Sequence, residues 1–170
     1  MNKIKKIFFI LILITPTFSY TNEKNEEFDG KGGRDDISYL NAKNSNFKKG
    51  NDALKQALKL KKKNKFKKSN KRLEKAVNYF VLANKENPNN LQILNLLGFS
   101  YNLLGDTIMS EIYYTDALII DPKNNLINQK LGELYFNTKR IDLAKQRLDL
   151  LVNCNCREYV ELKKVISGTK

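Results

Sequence analysis

The chain has 170 residues, of which 31 are Lys or Arg and 18 are Asp or Glu, so its formal net charge is +13. It contains no His and only two Cys. The absence of His excludes catalysis by Ser-His-Asp or Cys-His groups and excludes His-ligated zinc or haem sites. Eight Gly leave little room for glycine-rich phosphate loops, and a hydrophobic fraction of 41% supports one modest core rather than two large domains.

Residues 1–19 have the three-part layout of a secretory signal peptide. Lysines precede an unbroken apolar run over residues 7–14, which Pro16 ends, and Thr17 and Ser19 are small residues before a cut after Ser19. The apolar run is far shorter than the roughly 20 residues that span a bilayer, and no Cys lies near the cut for lipid attachment. We therefore expect cleavage after Ser19 and an exported, periplasmic product. An uncleaved N-terminal anchor is the alternative.

The polar stretch that follows is predicted to be a disordered linker. Residues 20–45 show neither helical nor strand periodicity and include the helix-breaking sequence Gly30-Lys31-Gly32-Gly33. The positive charge lies further along, because residues 48–75 contain 13 basic and two acidic residues, a net charge of +11. Residues 76–170 contain 11 basic and ten acidic residues, so nearly all the excess charge is in one stretch.

A basic patch of seven lysines crowds the predicted turn between the first two helices: Lys59, Lys61, Lys62, Lys63, Lys65, Lys67 and Lys68. It has two interpretations, an anion-binding face for envelope lipid or glycan and a solvated surface in a Lys-rich protein. Between residues 48 and 75, Phe66 is the one aromatic residue and Arg72 the one Arg, whereas nucleic-acid binding uses more of both. We expect no nucleic-acid binding and favour a solvated surface. A tether to the anionic envelope through the hairpin 48–75 is the alternative function.

From Phe47 to the end of the chain, apolar residues recur three and four positions apart, which predicts helices throughout. A longer period is superimposed, because residues of the same type recur at an offset of 34. The matching pairs are Asn87-Pro88 with Asp121-Pro122, Leu97-Gly98 with Leu131-Gly132, Tyr101 with Tyr135, Phe80 with Tyr114, and Ala83 with Ala117. A small residue such as Gly98 lets two helices approach closely, and a Pro ends the second helix of each unit. The predicted building block is therefore a helix–turn–helix unit of 34 residues.

This pattern resembles the tetratricopeptide repeat family over about residues 47–167. The resemblance is strongest at 91–124, where Ser110 stands in place of the family's small Ala, and weakest at 57–90, where Asn64 stands in place of Gly. It implies an all-α stack of helical hairpins, an α-solenoid of about three repeats closed by a C-terminal capping helix. The implied domain is 46–170, with its repeats and cap at 57–90, 91–124, 125–158 and 157–167. The Lys-rich opening hairpin and the Cys-x-Cys before the cap also resemble short exported bacterial proteins of the family.

Seven helices are predicted, and the first two form a long basic hairpin. An apolar seam over residues 66–83 steps by three and four positions, which makes the second helix about two turns longer than an ordinary repeat helix. The repeat also places Gly98 where the third and fourth helices touch. The predicted helix bounds are 46–63, 66–86, 90–104, 107–120, 124–137, 141–153 and 157–167.

By this resemblance, partners bind in a concave groove lined by the first helix of each repeat. The positions implied for the groove are Gln92, Asn95, Phe99, Asn102, Leu126, Gln129, Glu133 and Phe136. Amide groups suit the backbone of an extended peptide, and Phe faces suit apolar side chains. The paired Lys and Arg of the family's carboxylate clamp are not matched. The implied function is an exported scaffold that binds a protein or peptide. The alternative is that these residues form a solvated face or pack on a neighbouring subunit.

Cys154 and Cys156 are separated by one residue. In an oxidising compartment such a pair often forms a disulfide, and residues two apart reach bonding distance where the chain bends. Small turn residues with an optional local disulfide therefore rank first, an intermolecular link second and a metal site last, because zinc needs four ligands and the chain has two Cys and no His. We expect no metal and no cofactor. No nucleophile is paired with a base, so the protein is predicted not to be an enzyme.

Overall fold

A computed structural model describes residues 35–168 of the chain, with side chains from Ser45 onwards. This part of the chain contains seven α-helices and no strand. In chain order the helices are α1 Asp35–Lys62, α2 Phe66–Glu86, α3 Leu91–Leu104, α4 Thr107–Ile120, α5 Asn125–Asn137, α6 Ile141–Leu151 and α7 Arg157–Ser167. The predicted signal peptide 1–19 and residues 20–34 of the predicted linker lie outside the described residues.

Each helix packs mainly against its neighbours in the chain, so the helices form a stack of hairpins. α1 pairs with α2, α3 with α4 and α5 with α6, and smaller contacts join successive hairpins. α7 packs on α5 and α6 at the end of the stack. The prediction of an all-α hairpin stack with a capping helix is confirmed. None of the described helices is both long and apolar enough to cross a bilayer.

The helix bounds agree with the predicted ones for α2, α4 and α7, and α1 differs most. α1 begins at Asp35 instead of residue 46, so the prediction of a linker is wrong for residues 35–45. Acidic residues favour a helix N-terminus through the helix dipole, and this segment begins with Asp35 and Asp36. Its apolar residues, Ile37, Tyr39, Leu40 and Ala42, lie within six positions and are too few to establish a helical period. α6 ends two residues early, at Leu151, where the chain turns towards the Cys pair.

Asn90 and Asn124 explain why α3 and α5 begin one residue later than predicted. The side-chain carbonyl of each accepts hydrogen bonds from backbone N–H groups of the following turn, that of Ile93 at 3.2 Å and that of Ile127 at 3.2 Å. Both residues are therefore N-caps, and an Asn N-cap stabilises a helix by about 1 kcal/mol relative to Ala. The two caps lie 34 residues apart, so the period includes the helix starts as well as the helix faces.

A small residue of one helix lies against a large ring of the next, as the repeat predicts. A Cβ built on Gly98 of α3 would lie 2.7 Å from Cδ1 of Tyr114 on α4. The prediction that Gly98 marks the contact between these helices is confirmed. Tyr114 is completely buried, and burial, together with the nearby charge of Glu133, raises the pKa of its hydroxyl. The Tyr114 ring therefore remains neutral and acts as a packing element near pH 7.

The first hairpin also packs a Gly against a large ring, but this Gly does not lie 34 residues from Gly98. A Cβ on Gly50 of α1 would lie 2.6 Å from Cδ1 of Phe80 on α2. Asn64, which the resemblance set in place of the small Gly, lies instead in the turn after α1 with a φ of 56°. α1 and α2 have 28 and 21 residues whereas α3 has 14, and the longer helices shift the close contact away from the turn.

Ser110 marks a place where the fold can be stabilised by one substitution. The side chain is completely buried, and its hydroxyl has no hydrogen-bond partner among the described residues. A buried polar group without a partner destabilises by about 1–3 kcal/mol, and Ala has a higher helix propensity than Ser. We therefore expect Ser110→Ala to raise the free energy of unfolding by about 1 kcal/mol in urea denaturation. As a control, Thr115→Ala on the exposed face of α4 gains helix propensity alone and should raise it by no more than about 0.7 kcal/mol. A lower stability of Ser110→Ala would show that the hydroxyl has a partner.

Candidate partner-binding groove

The first helices of the two regular repeats, α3 and α5, contact each other directly and enclose a cleft at their N-terminal ends. The cleft has a volume of about 220 Å³. Its lining combines apolar and amide side chains and contains no charged residue: Leu91, Gln92, Asn95, Asn124, Leu126 and Ile127. Gln92, Asn95 and Leu126 belong to the set predicted from the resemblance. The structure therefore brings together three of the eight predicted groove residues in one cleft.

The two predicted amides of the cleft have hydrogen-bonding capacity to spare. Gln92 is exposed and Asn95 half-buried, and neither side chain forms a hydrogen bond within the described part of the chain. A primary amide has two N–H donors and one carbonyl acceptor, which match the alternating groups of an extended backbone. The third amide, that of Asn124, is occupied, because its oxygen caps α5 and its nitrogen donates to Asp121 at 3.0 Å.

Apolar side chains form the other wall of the cleft. Leu126 is 40% exposed. Ile127 next to it is only 2% exposed and belongs to the second core cluster, the buried apolar residues shared by α3, α4, α5 and α6. Leu91 packs against the same cluster. Covering Leu126 with an apolar side chain would remove both surfaces from water, which is favourable by about 25 cal/mol per Å² of apolar area. The cleft can therefore hold both a backbone and one apolar side chain.

Gln129 and Glu133, also predicted to line the groove, fasten the capping helix instead. Gln129 is buried, and its amide nitrogen donates to Glu133 at 2.9 Å and to Glu161 of α7 at 2.6 Å. Glu133 also pairs with Lys130 at 3.1 Å. These groups are therefore not available to a partner in this arrangement. These two residues lie on α5 at the positions that the family repeat implies. However, α7 covers the face of α5 on which they lie.

The remaining predicted groove residues lie further along their helices and support the two cores. Phe99 is half-buried against the first core cluster, the buried apolar residues shared by α1, α2 and α3. Phe136 is half-buried against the second core cluster. Asn102 is half-buried near the end of α3, where its backbone carbonyl accepts a hydrogen bond from Gly105 at 3.1 Å. None of these three residues lines the cleft between α3 and α5.

The predicted basic patch is exposed at all seven positions around the turn between α1 and α2. The structure also forms a depression beside this turn, with a volume of about 310 Å³. Its lining is different from the patch and shares only Lys68 with it: Leu60, Lys68, Lys71, Arg72 and Lys75. These cations belong to the charged stretch 48–75, but the charge count did not show that they lie together. The signal for them was their spacing along α2, at intervals of three and four residues.

Cys154 and Cys156 form a local disulfide, the option that the sequence left open, with Cα atoms 5.1 Å apart. Asn155 between them has a φ of 47°, which provides the bend that a pair this close in sequence requires. Both thiols are bonded and cannot serve as metal ligands. Within residues 35–168 no three His, Cys, Asp or Glu side chains are grouped in a way that could hold a metal ion.

Comparisons with known proteins agree with this geometry. The model of the tetratricopeptide repeat family matches residues 91–124, the segment from α3 to the loop before α5. The tetratricopeptide repeat domain of OM64 from Arabidopsis is similar in structure, with a TM-score of 0.53 and 20% identity over 74% of this chain and 99% of that chain. The first tetratricopeptide repeat domain of Spaghetti (RPAP3), bound to the HSP90 peptide SRMEEVD, has a TM-score of 0.52 and 17% identity over 72% of this chain and 94% of that chain. No curated protein matches the chain.

The matched repeat coincides with the hairpin in which Gly98 lies against Tyr114 and Asn90 caps the first helix. The neighbouring hairpins extend the same packing in both directions. Residues 91–124 therefore match the tetratricopeptide repeat family, and the described helices have the fold of tetratricopeptide repeat domains.

Proposed function

We propose that the protein is an exported adaptor that holds its partner by an extended segment bound in the cleft between α3 and α5. The single observation that carries this proposal is the cleft itself, where the unpaired amides of Gln92 and Asn95 face the partly exposed Leu126. A similar domain, that of Spaghetti, is bound to a peptide, so the fold is compatible with peptide binding. The shared fold alone supports this comparison, because the identity is 17%.

The chemistry of the cleft favours a neutral peptide segment over an acidic one. The lining contains no Lys or Arg, so a buried carboxylate would lose its hydration without gaining an opposite charge. Gln92 and Asn95 would bond to backbone groups, which every sequence offers, and Leu126 would select an apolar side chain at one position. The partner segment is therefore an extended chain with an apolar anchor.

Leu126→Asp tests this proposal, because it places a charge in the cleft without touching the core. Random peptides selected by display on the unmodified protein should bind the variant at least about tenfold more weakly, the equivalent of 1.4 kcal/mol. Ile119→Asp is the matched control, because Ile119 is 74% exposed on α4 and outside the cleft. This control should bind the same peptides as the parent. Equal loss in both variants, or no loss in Leu126→Asp, would contradict the groove.

Export is supported by the leader-like sequence and by the disulfide. Residues 1–19 combine a basic start, a short apolar run and small residues before the expected cut. A bonded pair such as Cys154 and Cys156 is typical of proteins from an oxidising compartment. We expect mass spectrometry of the native protein to give an N-terminus at Tyr20 in the soluble fraction of the cell envelope. An intact Met1 in the membrane fraction would contradict this.

A further inference from the structure

Four cations of α2 share one face of the helix and surround a single depression. Lys68, Lys71, Arg72 and Lys75 are spaced three and four residues apart, which places them on one side of an α-helix. Leu60, near the end of α1, provides an apolar wall, and the depression has a volume of about 310 Å³. The packing of α1 against α2 therefore places these side chains around a concave surface.

None of the four cations forms an ion pair within residues 35–168. The three ion pairs in the described part of the chain involve Lys130, Arg140 and Arg157, none of which belongs to the depression. Glu74 is three positions from Lys71 and adjacent to Lys75, but it forms no ion pair with either of them and does not line the depression. Cations at intervals of four residues repel one another and destabilise the helix, so an anion between them would be stabilising.

We infer that this depression binds clustered phosphate groups. The planar guanidinium of Arg72 suits bidentate contact with phosphate oxygens, while the three lysines supply mobile positive charges around it. Nucleic acid is not favoured, because aromatic residues for base stacking are absent from the lining. The phosphates belong either to a soluble polyphosphate or to the headgroups of a lipid surface. This site is independent of the cleft between α3 and α5.

The turn between α1 and α2 offers a matched control for this proposal. One variant carries Lys68→Gln, Lys71→Gln, Arg72→Gln and Lys75→Gln, and the control carries Lys59→Gln, Lys61→Gln, Lys62→Gln and Lys63→Gln. Both lose four positive charges from neighbouring exposed positions, but only the first removes the lining of the depression. Circular dichroism confirms that both remain helical. A non-specific attraction depends on the charge alone and would weaken equally in both.

Two probes at low salt identify the source of the phosphates. Tripolyphosphate is titrated calorimetrically, and vesicles of equal parts phosphatidylcholine and phosphatidylglycerol are tested by co-sedimentation. We expect the depression variant to bind at least one probe about tenfold more weakly and the turn variant to bind it within about twofold of the parent. Loss with tripolyphosphate alone indicates a soluble ligand, and loss with vesicles indicates a lipid surface. Equal weakening in both variants, or no binding of either probe, would overturn the proposal.

A conservative substitution keeps the test decisive if the depression variant does not fold. Arg72→Lys retains the positive charge but removes the planar guanidinium group. We therefore expect the variant to bind the probe that the parent binds about threefold or more weakly. Lys62→Arg in the turn adds a fork outside the depression and should leave binding unchanged. Unaltered binding in Arg72→Lys would contradict the role given to the guanidinium.

Discussion

Replacing Gly98 with Leu is expected to lower the free energy of unfolding by about 3 kcal/mol, because the new side chain has no space. A Cβ alone would lie 2.7 Å from two ring carbons of Tyr114, and that ring is completely buried. Either the ring must leave its site or α3 must separate from α4. Urea denaturation followed by circular dichroism measures the effect, and the midpoint should fall without a large change in slope.

Two further variants show whether this loss comes from the contact itself. Thr115→Leu adds a similar side chain to the exposed face of α4 and should change stability by less than about 0.5 kcal/mol. Combining Gly98→Leu with Tyr114→Ala removes the ring that the Leu meets, so the double variant should be less destabilised than the sum of the two single variants. Additive losses, or a Gly98→Leu protein as stable as the parent, would show that the repeat register is wrong.

Leu162→Ala is expected to destabilise the protein by about 2–5 kcal/mol, the usual range for a buried Leu truncated to Ala. Leu162 of α7 is completely buried against α5, and its Cδ2 atom would lie 2.6 Å from a Cβ built on Gly132. Truncation of Leu162 leaves a cavity between α7 and α5 and weakens the packing of the capping helix on α5. Hydrogen exchange should then show faster exchange over α7 and α5 than over α1 and α2.

Val160→Ala is the matched control on the same helix. Val160 is 48% exposed, so its truncation removes little buried area and should change stability by no more than about 0.5 kcal/mol. If Leu162→Ala were as mild as this control, α7 would not be the cap that holds the end of the stack. A loss confined to α7, with unchanged exchange in α5, would mean that the cap stabilises only itself.

The sequence was sufficient to predict features that depend on local spacing. The 34-residue period identified the contact of Gly98 with the next helix, and periodicity located α2, α4 and α7 to the residue. The Cys pair was placed in a turn for the same reason, and the structure adds the bond between the two residues. Short-range patterns of this kind predict contacts directly, because the dimensions of helices and turns determine which residues meet.

Features that join distant segments were not predictable in this way. Gly50 contacts Phe80 outside the period, because the first hairpin has longer helices than the family unit. Gln129 and Glu161 are 32 residues apart, and their hydrogen bond requires α7 to lie on the face of α5 that the family leaves open. The same holds for the four cations of the depression, whose approach to Leu60 depends on how α1 and α2 pack.

Photo-crosslinking in the native envelope tests whether a partner binds between α3 and α5. A benzoylphenylalanine placed at Asn95 lies in the cleft, and the same residue at Thr115 lies on the opposite, exposed face of α4. We predict that position 95 crosslinks to one segment of one protein, that the adduct maps to a neutral extended stretch with an apolar residue, and that position 115 gives no such adduct. Adducts from position 115 alone, or equal adducts from both positions, would contradict the account.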